Sequence, residues 1–151
     1  MAEYVLSERL AIIGTIDPDA NSTAAVDSDA WDMQKYRRVM VIMLAGQYAT
    51  AASAVGKLYA GATSTGAWTT LVGKTASLTE VGGGSDGQAI INLSAAEVSS
   101  TGKRWAKLTV TYSGATTVDG GAVILGDLGR FTEAYTTIAY NDLSSVGSIV
   151  A

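Results

Sequence analysis

Histidine and cysteine are both absent from this chain of 151 residues, and a single proline is set against seventeen glycines. Without histidine, no side chain has an unperturbed pKa near neutral pH. Without cysteine there is no thiol nucleophile, no soft metal ligand and no disulfide bond. An enzyme of this composition would have to use carboxylates, hydroxyl groups, lysine or tyrosine alone. We therefore predict a protein that is not an enzyme, binds no cofactor and has no tight metal requirement.

Charged residues are scarce as well, at 16% of the chain beside 48% hydrophobic residues. A soluble globular chain usually has about 25% charged residues, so uncharged side chains must occupy much of this surface. Such a surface suits a protein that is partly covered by a partner. The net charge of −4 would repel a phosphate backbone, and we predict no binding to nucleic acid.

Long hydrophobic runs are missing too. No stretch approaches the about 20 apolar residues that span a bilayer. Residues 1–4 have neither the basic nor the apolar region with which a signal peptide begins. We expect no membrane contact, and synthesis in a cytoplasm.

What the chain has in abundance is apolar sequence that favours strands. The strongest pattern is the run of seven apolar residues at 39–45, which predicts a central strand covered on both faces. Residues 104–112 alternate, with Leu108 and Val110 on one face and Lys107 and Thr109 on the other. Further strands are expected at residues 54–60, 67–72, 77–81, 88–93, 116–118 and 121–126.

About seven or eight short strands between glycine-rich turns, with no long helix, predict one all-β domain. We expect a single jelly-roll-like β-sandwich or a small barrel. The predicted core residues are Val39, Val41, Met43, Ile91, Leu93, Leu108, Val110, Ile124 and Leu125. Ser94 and Glu97 have the spacing of a capping box, in which each side chain satisfies a free backbone N–H group of the other. A single helical turn that closes at residues 101–102 is expected there.

The two ends differ from this middle. Residues 15–32 are polar and contain the only proline and five aspartates, which predicts an extended arm or a long loop. We divide the single domain into an N-terminal arm or edge segment (1–32), a β-sandwich core (33–131) and a C-terminal tail (132–151). In the tail, an apolar side of a short helix is predicted, which would need cover from its own sheet or from a neighbour.

The aspartates of the arm form the only dense group of candidate metal ligands. Residues 17–21 have the pattern of the first half of an EF-hand loop, but Ser22 stands where that loop needs glycine and Ser28 where it needs glutamate. We predict a solvated acidic loop, with a looser Ca²⁺ site between sandwich loops as the alternative. The tyrosines and tryptophans could stack against sugars, although packing in a core or an interface is the commoner use of such residues.

Five short segments are distributed from near the beginning to near the end of the chain: 15–18 (TIDP), 29–38 (DAWDMQKYRR), 88–98 (QAIINLSAAEV), 104–110 (RWAKLTV) and 141–146 (NDLSSV). Together they resemble a family of small virion proteins of tailed bacteriophages. The resemblance implies a capsid decoration, or cement, protein. Such a protein is β-rich, assembles commonly as trimers on the outside of the icosahedral shell, and braces neighbouring major capsid subunits without a cofactor.

We therefore expect a non-enzymatic virion protein on the capsid exterior whose partners are the major capsid protein and further copies of itself, with a trimer favoured. The predicted partner-binding residues lie in the two ends and in the basic set before the central strand. They are Asp17, Asp29, Trp31, Asp32, Lys35, Arg37, Arg38, Tyr140, Leu143, Val146 and Ile149. Two alternatives remain open: a head-tail or tail structural protein, and a carbohydrate-binding module on the virion surface.

Overall fold

The computed structural model describes residues 9–21, 24–46, 52–79, 86–114 and 118–127. Within these ranges the chain forms nine strands and one short helix. The strands are β1 (Leu10–Asn21), β2 (Ala25–Asp27), β3 (Trp31–Asp32), β4 (Arg38–Ala45), β5 (Ser53–Gly61), β6 (Trp68–Thr79), β7 (Gly87–Ser94), β8 (Trp105–Ser113) and β9 (Val118–Asp127), and the helix is α1 (Ala95–Ser99).

The strands form two antiparallel sheets that face each other. Sheet A has the strand order β1-β9-β4-β7, and sheet B has the order β2-β8-β5-β6, with β3 also paired to β8. The predicted β-sandwich is confirmed. The run at 39–45 forms β4, which lies between β9 and β7 as a central strand.

The core lies between the two sheets and is built from alternate residues of each strand. Eight of the nine predicted core residues are at most 5% exposed. Leu125 is the exception, because Ile124 and Gly126 occupy the inward positions of β9 and Leu125 points to the outer face, half-buried. The sequence of β9 is apolar on both faces, so its alternation alone did not distinguish the two.

The capping box is confirmed at the start of α1. Ser94 Oγ accepts a hydrogen bond from the Glu97 backbone N–H at 3.3 Å, and Glu97 Oε2 accepts one from the Ser94 N–H at 2.8 Å. Lys74 of β6 contacts Glu97 at 2.7 Å and donates to the backbone carbonyl of Asn92 in β7 at 2.6 Å. Hydrogen bonds from Lys74 and from Ser94 together lower the pKa of Glu97 to about 2. The same lysine thereby links the edge of sheet B to the edge of sheet A.

The described residues between 10 and 32 form edge strands of the sandwich, as in the edge-segment alternative, and not an extended arm or long loop. Strand β1 pairs with β9 from Leu10 to Asn21, with bulges between Ile12 and Gly14 and between Ile16 and Asp19. Ala11, Ile13 and Ile16 are buried. The polar sequence after Ile16 suggested a loop, but backbone pairing with β9 does not depend on side-chain polarity, and the exposed edge of a sheet tolerates polar residues.

Candidate interaction surfaces

An apolar surface covers the outer side of sheet A. Residues that alternate with the core positions point away from the other sheet, and those in the middle of this sheet are mainly apolar. Leu44 is 46% exposed, Ile90 58% and Ile12 37%. We call this surface the apolar face, and its members are Leu10, Ile12, Met40, Ile42, Leu44, Ile90, Val123 and Leu125.

The strand register brings these side chains together. Cross-strand partners share a face, so each row of paired residues is a row on the surface. One row is Ile12, Leu125 and Met40, followed by Asn92. The next row is Thr15, Val123, Ile42 and Ile90. The apolar face is therefore continuous across all four strands of the sheet.

The prediction that β4 is covered on both faces holds for only one of them. Its inward residues Val39, Val41 and Met43 are at most 2% exposed, whereas Leu44 on the other side is 46% exposed. A central strand with apolar residues on both sides is expected when both faces of the sheet are packed. The sequence pattern of β4 thus fits a sheet whose outer face is covered by a further layer of protein.

Charges of opposite sign flank the apolar face along the strand direction. Where β4 begins, Arg9 and Arg38 line a shallow groove together with Asp127. We call this the basic end. Where β4 finishes, Asp119 and Asp86 are exposed, and Asp119 is adjacent to Gly46, whose N–H donates to the Asp119 backbone carbonyl at 2.7 Å. We call this the acidic end.

The outer side of sheet B has a different character, because it has an aromatic cluster of Tyr59, Trp68 and Trp105. Gly61 pairs with both tryptophans, and a Cβ at Gly61 would lie 2.9 Å from the Trp68 ring, so this ring lies across the glycine. Lys107 Nζ is 5.2 Å from the ring centroid of Trp68 and 6.0 Å from that of Tyr59. All three aromatic side chains are partly exposed.

An ion pair borders this cluster. Asp27 of β2 forms a salt bridge with Lys107 and accepts a hydrogen bond from Thr109 Oγ1 at 2.5 Å. Partial burial opposes ionisation of this carboxyl, but the hydrogen bonds from Lys107 and Thr109 prevail and hold its pKa below the ordinary value. The pair fixes β2 to β8 and keeps Lys107 beside the aromatic rings.

Trp31 and Asp32 were predicted to bind a partner, but both are buried in this chain, at 0% and 2% exposed. Asp32 Oδ1 accepts from the Gln34 N–H at 2.9 Å and from Arg104 Nε at 2.8 Å. Desolvation works against the charged form, yet these hydrogen bonds hold the pKa of Asp32 below its ordinary value. Both residues therefore stabilise the β3–β8 junction.

The other predicted site residues are not gathered on one surface. Arg38 lies at the basic end and Arg37 is exposed beside it, whereas Asp29 is exposed between β2 and β3. Asp17 is exposed in β1, and Lys35 is half-buried in the turn that follows β3. Tyr140, Leu143, Val146 and Ile149 lie outside the described residues.

The sequence prediction missed the apolar face because a run such as 39–45 does not reveal which half of it is inward. The signal that could have found it is that the outward positions in the middle of the two strands, 40, 42 and 44 in β4 and 121, 123 and 125 in β9, contain no polar side chain.

In the described ranges, no three acidic side chains lie close enough to hold a metal ion together. Among the same residues, no helix has the length and apolar character needed to cross a membrane.

No protein-family model matches the sequence, and no curated protein is a match. Among solved structures, the chain is similar to VP2 of infectious bursal disease virus in a subviral particle, with 11% identity and a TM-score of 0.48 over 87% of this chain and 34% of that one. It is similar to a protein of the Bacillus endospore appendages, which are disulfide-linked pili, with 12% identity and a TM-score of 0.42 over 85% and 98%.

A carbohydrate-binding module specific for non-crystalline cellulose is 14% identical with a TM-score of 0.40, over 66% of this chain and 63% of that one. The chain thus spans less than two thirds of the cellulose-binding module and about a third of the viral protein. We infer no function from similarities of this size.

Proposed function

We propose that this protein is a non-enzymatic structural component of a tailed-bacteriophage virion, located on the capsid exterior, where it binds the major capsid protein and stabilises contacts between capsid subunits. The observation that carries the proposal is the apolar face. Contiguous exposed apolar surface with a polar rim is typical of protein–protein interaction sites. The choice of the capsid as the partner rests on the resemblance of residues 29–38 and 88–98 to tailed-phage virion proteins.

The state of the ionisable groups supports a role without catalysis. Catalytic residues commonly have perturbed pKa values and lie in a cleft, where a substrate can reach them. Among the described carboxyl groups, the pKa values of Asp27, Asp32 and Glu97 are lowered, and each is held by a neighbouring strand through Lys107, Arg104 or Lys74. Each of these three ion pairs has a structural role inside the fold.

The proposal predicts saturable binding to capsids that lack the protein. Shells from a phage mutant without this gene would be mixed with the purified chain, sedimented and analysed for bound protein. We expect binding up to a fixed number of copies per shell and a rupture temperature several degrees higher than that of bare shells. Complete virions, whose sites are filled, are the control and should bind no more. Failure to sediment with the bare shells would contradict the proposed function.

The aromatic cluster on sheet B supports carbohydrate binding as a second candidate function, because aromatic rings on one face of a sheet can stack against sugars. Lys107 already contacts two of these rings, which leaves less ring surface for a ligand. We therefore expect no retardation of the protein in native gels that contain soluble cellulose derivatives or host-surface polysaccharide. Retardation that is lost in Trp68→Ala but kept in Thr70→Ala, a change in an exposed neighbour, would favour the carbohydrate function.

A further inference from the structure

The apolar face has a symmetric arrangement of charge and apolar side chains. The middle row contains Val123, Ile42 and Ile90. Two rows toward the start of β4, the basic end contains Arg38. Two rows in the other direction, Gly46 takes the equivalent place in the same strand, and Asp119 is next to it. The basic and acidic ends are thus equally far from the middle row.

Consider a twofold axis that lies in the interface, parallel to the middle row and perpendicular to the strands. It would place this pattern against the same pattern of a second copy. Rotation about such an axis reverses the strand direction and keeps each strand opposite itself, so Ile42 meets Ile42 and Met40 meets Leu44. Arg38 of one copy then lies opposite Gly46 of the other. It is flanked there by Asp119 in the neighbouring strand β9 and by Asp86 beside β7.

The charges at the two ends are complementary under this rotation. The basic end has Arg9 and Arg38 against one carboxylate, Asp127, whereas the acidic end has Asp86 and Asp119. Opposite potentials on facing surfaces fix the register of an interface and disfavour the alternative in which like ends meet. A parallel arrangement would bring the two basic ends together, each with Arg9 and Arg38 against a single carboxylate, so the reversed arrangement is favoured.

We infer that the apolar face binds the same face of a second copy of this chain, forming an isologous twofold dimer in which sheet A of one protomer packs on sheet A of the other. This pairing covers the outer side of β4, in keeping with its apolar residues on both faces. The inferred dimer shares with the proposed function only the use of a protein–protein contact. It concerns the protein free in solution.

The size of the face limits the strength of the pairing. Four strands about 4.8 Å apart and eight residue steps of about 3.4 Å along β4 give roughly 500 Å² per copy. A standard stable interface buries about 800 Å² on each partner. The dimer is therefore expected to be weak and to dissociate on dilution.

Sedimentation velocity over a wide range of protein concentration tests the inference. The wild-type chain should shift from monomer to dimer as concentration rises. Ile90→Asp puts a charge on a residue that is 58% exposed, so the fold should persist while the dimer is lost. Val72→Asp is the matched control, because Val72 is 97% exposed on sheet B and its replacement should leave the dimer intact. Circular dichroism and thermal melting verify that both variants are folded.

The absence of cysteine allows a second readout of the same geometry. In an Ile90→Cys variant, a short bis-maleimide can join only equivalent positions of two copies, and we expect covalent dimers. Val72→Cys should give few. A wild-type chain that is monomeric at every concentration would overturn the inference. So would a trimer, or a dimer that Ile90→Asp leaves unchanged.

Capsid binding separates this inference from the proposed function. A wild-type dimer whose monomeric Ile90→Asp variant no longer binds bare shells would support both, with the shell displacing the second copy from the apolar face. If that variant still binds shells, the dimer stands, but attachment through the apolar face is contradicted. A monomeric wild type whose capsid binding is abolished by Ile90→Asp would overturn the dimer and assign the apolar face to the capsid. A dimer that fails to bind shells would overturn the proposed function alone.

Discussion

Replacement of Leu108 by alanine is expected to lower the free energy of unfolding by about 3 to 4 kcal/mol. Leu108 is fully buried in β8, directly opposite Leu58 of β5. A Cβ at Gly56 would lie 3.4 Å from Leu108 Cδ1 and 2.2 Å from Met43 Sδ of the other sheet. Gly56 has no side chain that could fill the cavity left by Leu108→Ala. Only the flexible thioether of Met43 can move into it. Urea denaturation measures the loss.

Leu125→Ala is the matched control for this prediction. The residue type and the change are the same, but Leu125 lies on the apolar face and is only half-buried. We expect a loss of about 1 kcal/mol or less, in proportion to the smaller area removed from water. Equal losses for the two variants would mean that the inward and outward faces of β9 have been assigned the wrong way round.

The sequence predicted the elements whose signals are local. Alternation in residues 104–112 correctly gave the inward face of β8, and the spacing of Ser94 and Glu97 gave the cap of α1. Both patterns depend on the geometry of one segment alone, so one segment is enough to recognise them. The existence of β4 as a central strand was predicted for the same reason.

What the sequence did not predict depends on pairing between distant segments. That the first strand, β1, pairs with the last, β9, has no local signature. The apolar face exists only because β1, β9, β4 and β7 are placed side by side in one register. Trp31 was assigned to a partner because it lies in the segment predicted as an arm, whereas pairing of β3 with β8 buries its side chain fully.

Deletion of residues 1–21 is expected to abolish cooperative folding. The deletion removes β1, and with it the buried side chains of Ala11, Ile13 and Ile16 and the backbone pairing along β9. The two isoleucines alone contribute roughly 3 to 6 kcal/mol through burial, and a domain of this kind is stable by only about 5 to 15 kcal/mol. The deletion also opens the core beside Ile124 and exposes the edge of β9. Thermal unfolding followed by circular dichroism should therefore show no sharp transition.

The polar end of the same strand provides the control for this deletion. Asp17→Asn with Asp19→Asn changes two exposed side chains of β1 and leaves its buried residues in place, so cooperative unfolding should be preserved with little change in melting temperature. A truncated chain that still melts sharply near the wild-type temperature would instead mean that residues 1–21 are a dispensable arm. If only the deletion unfolds the protein, a loss of capsid binding on truncation cannot be attributed to lost contacts, and attachment must be mapped with point variants of exposed residues.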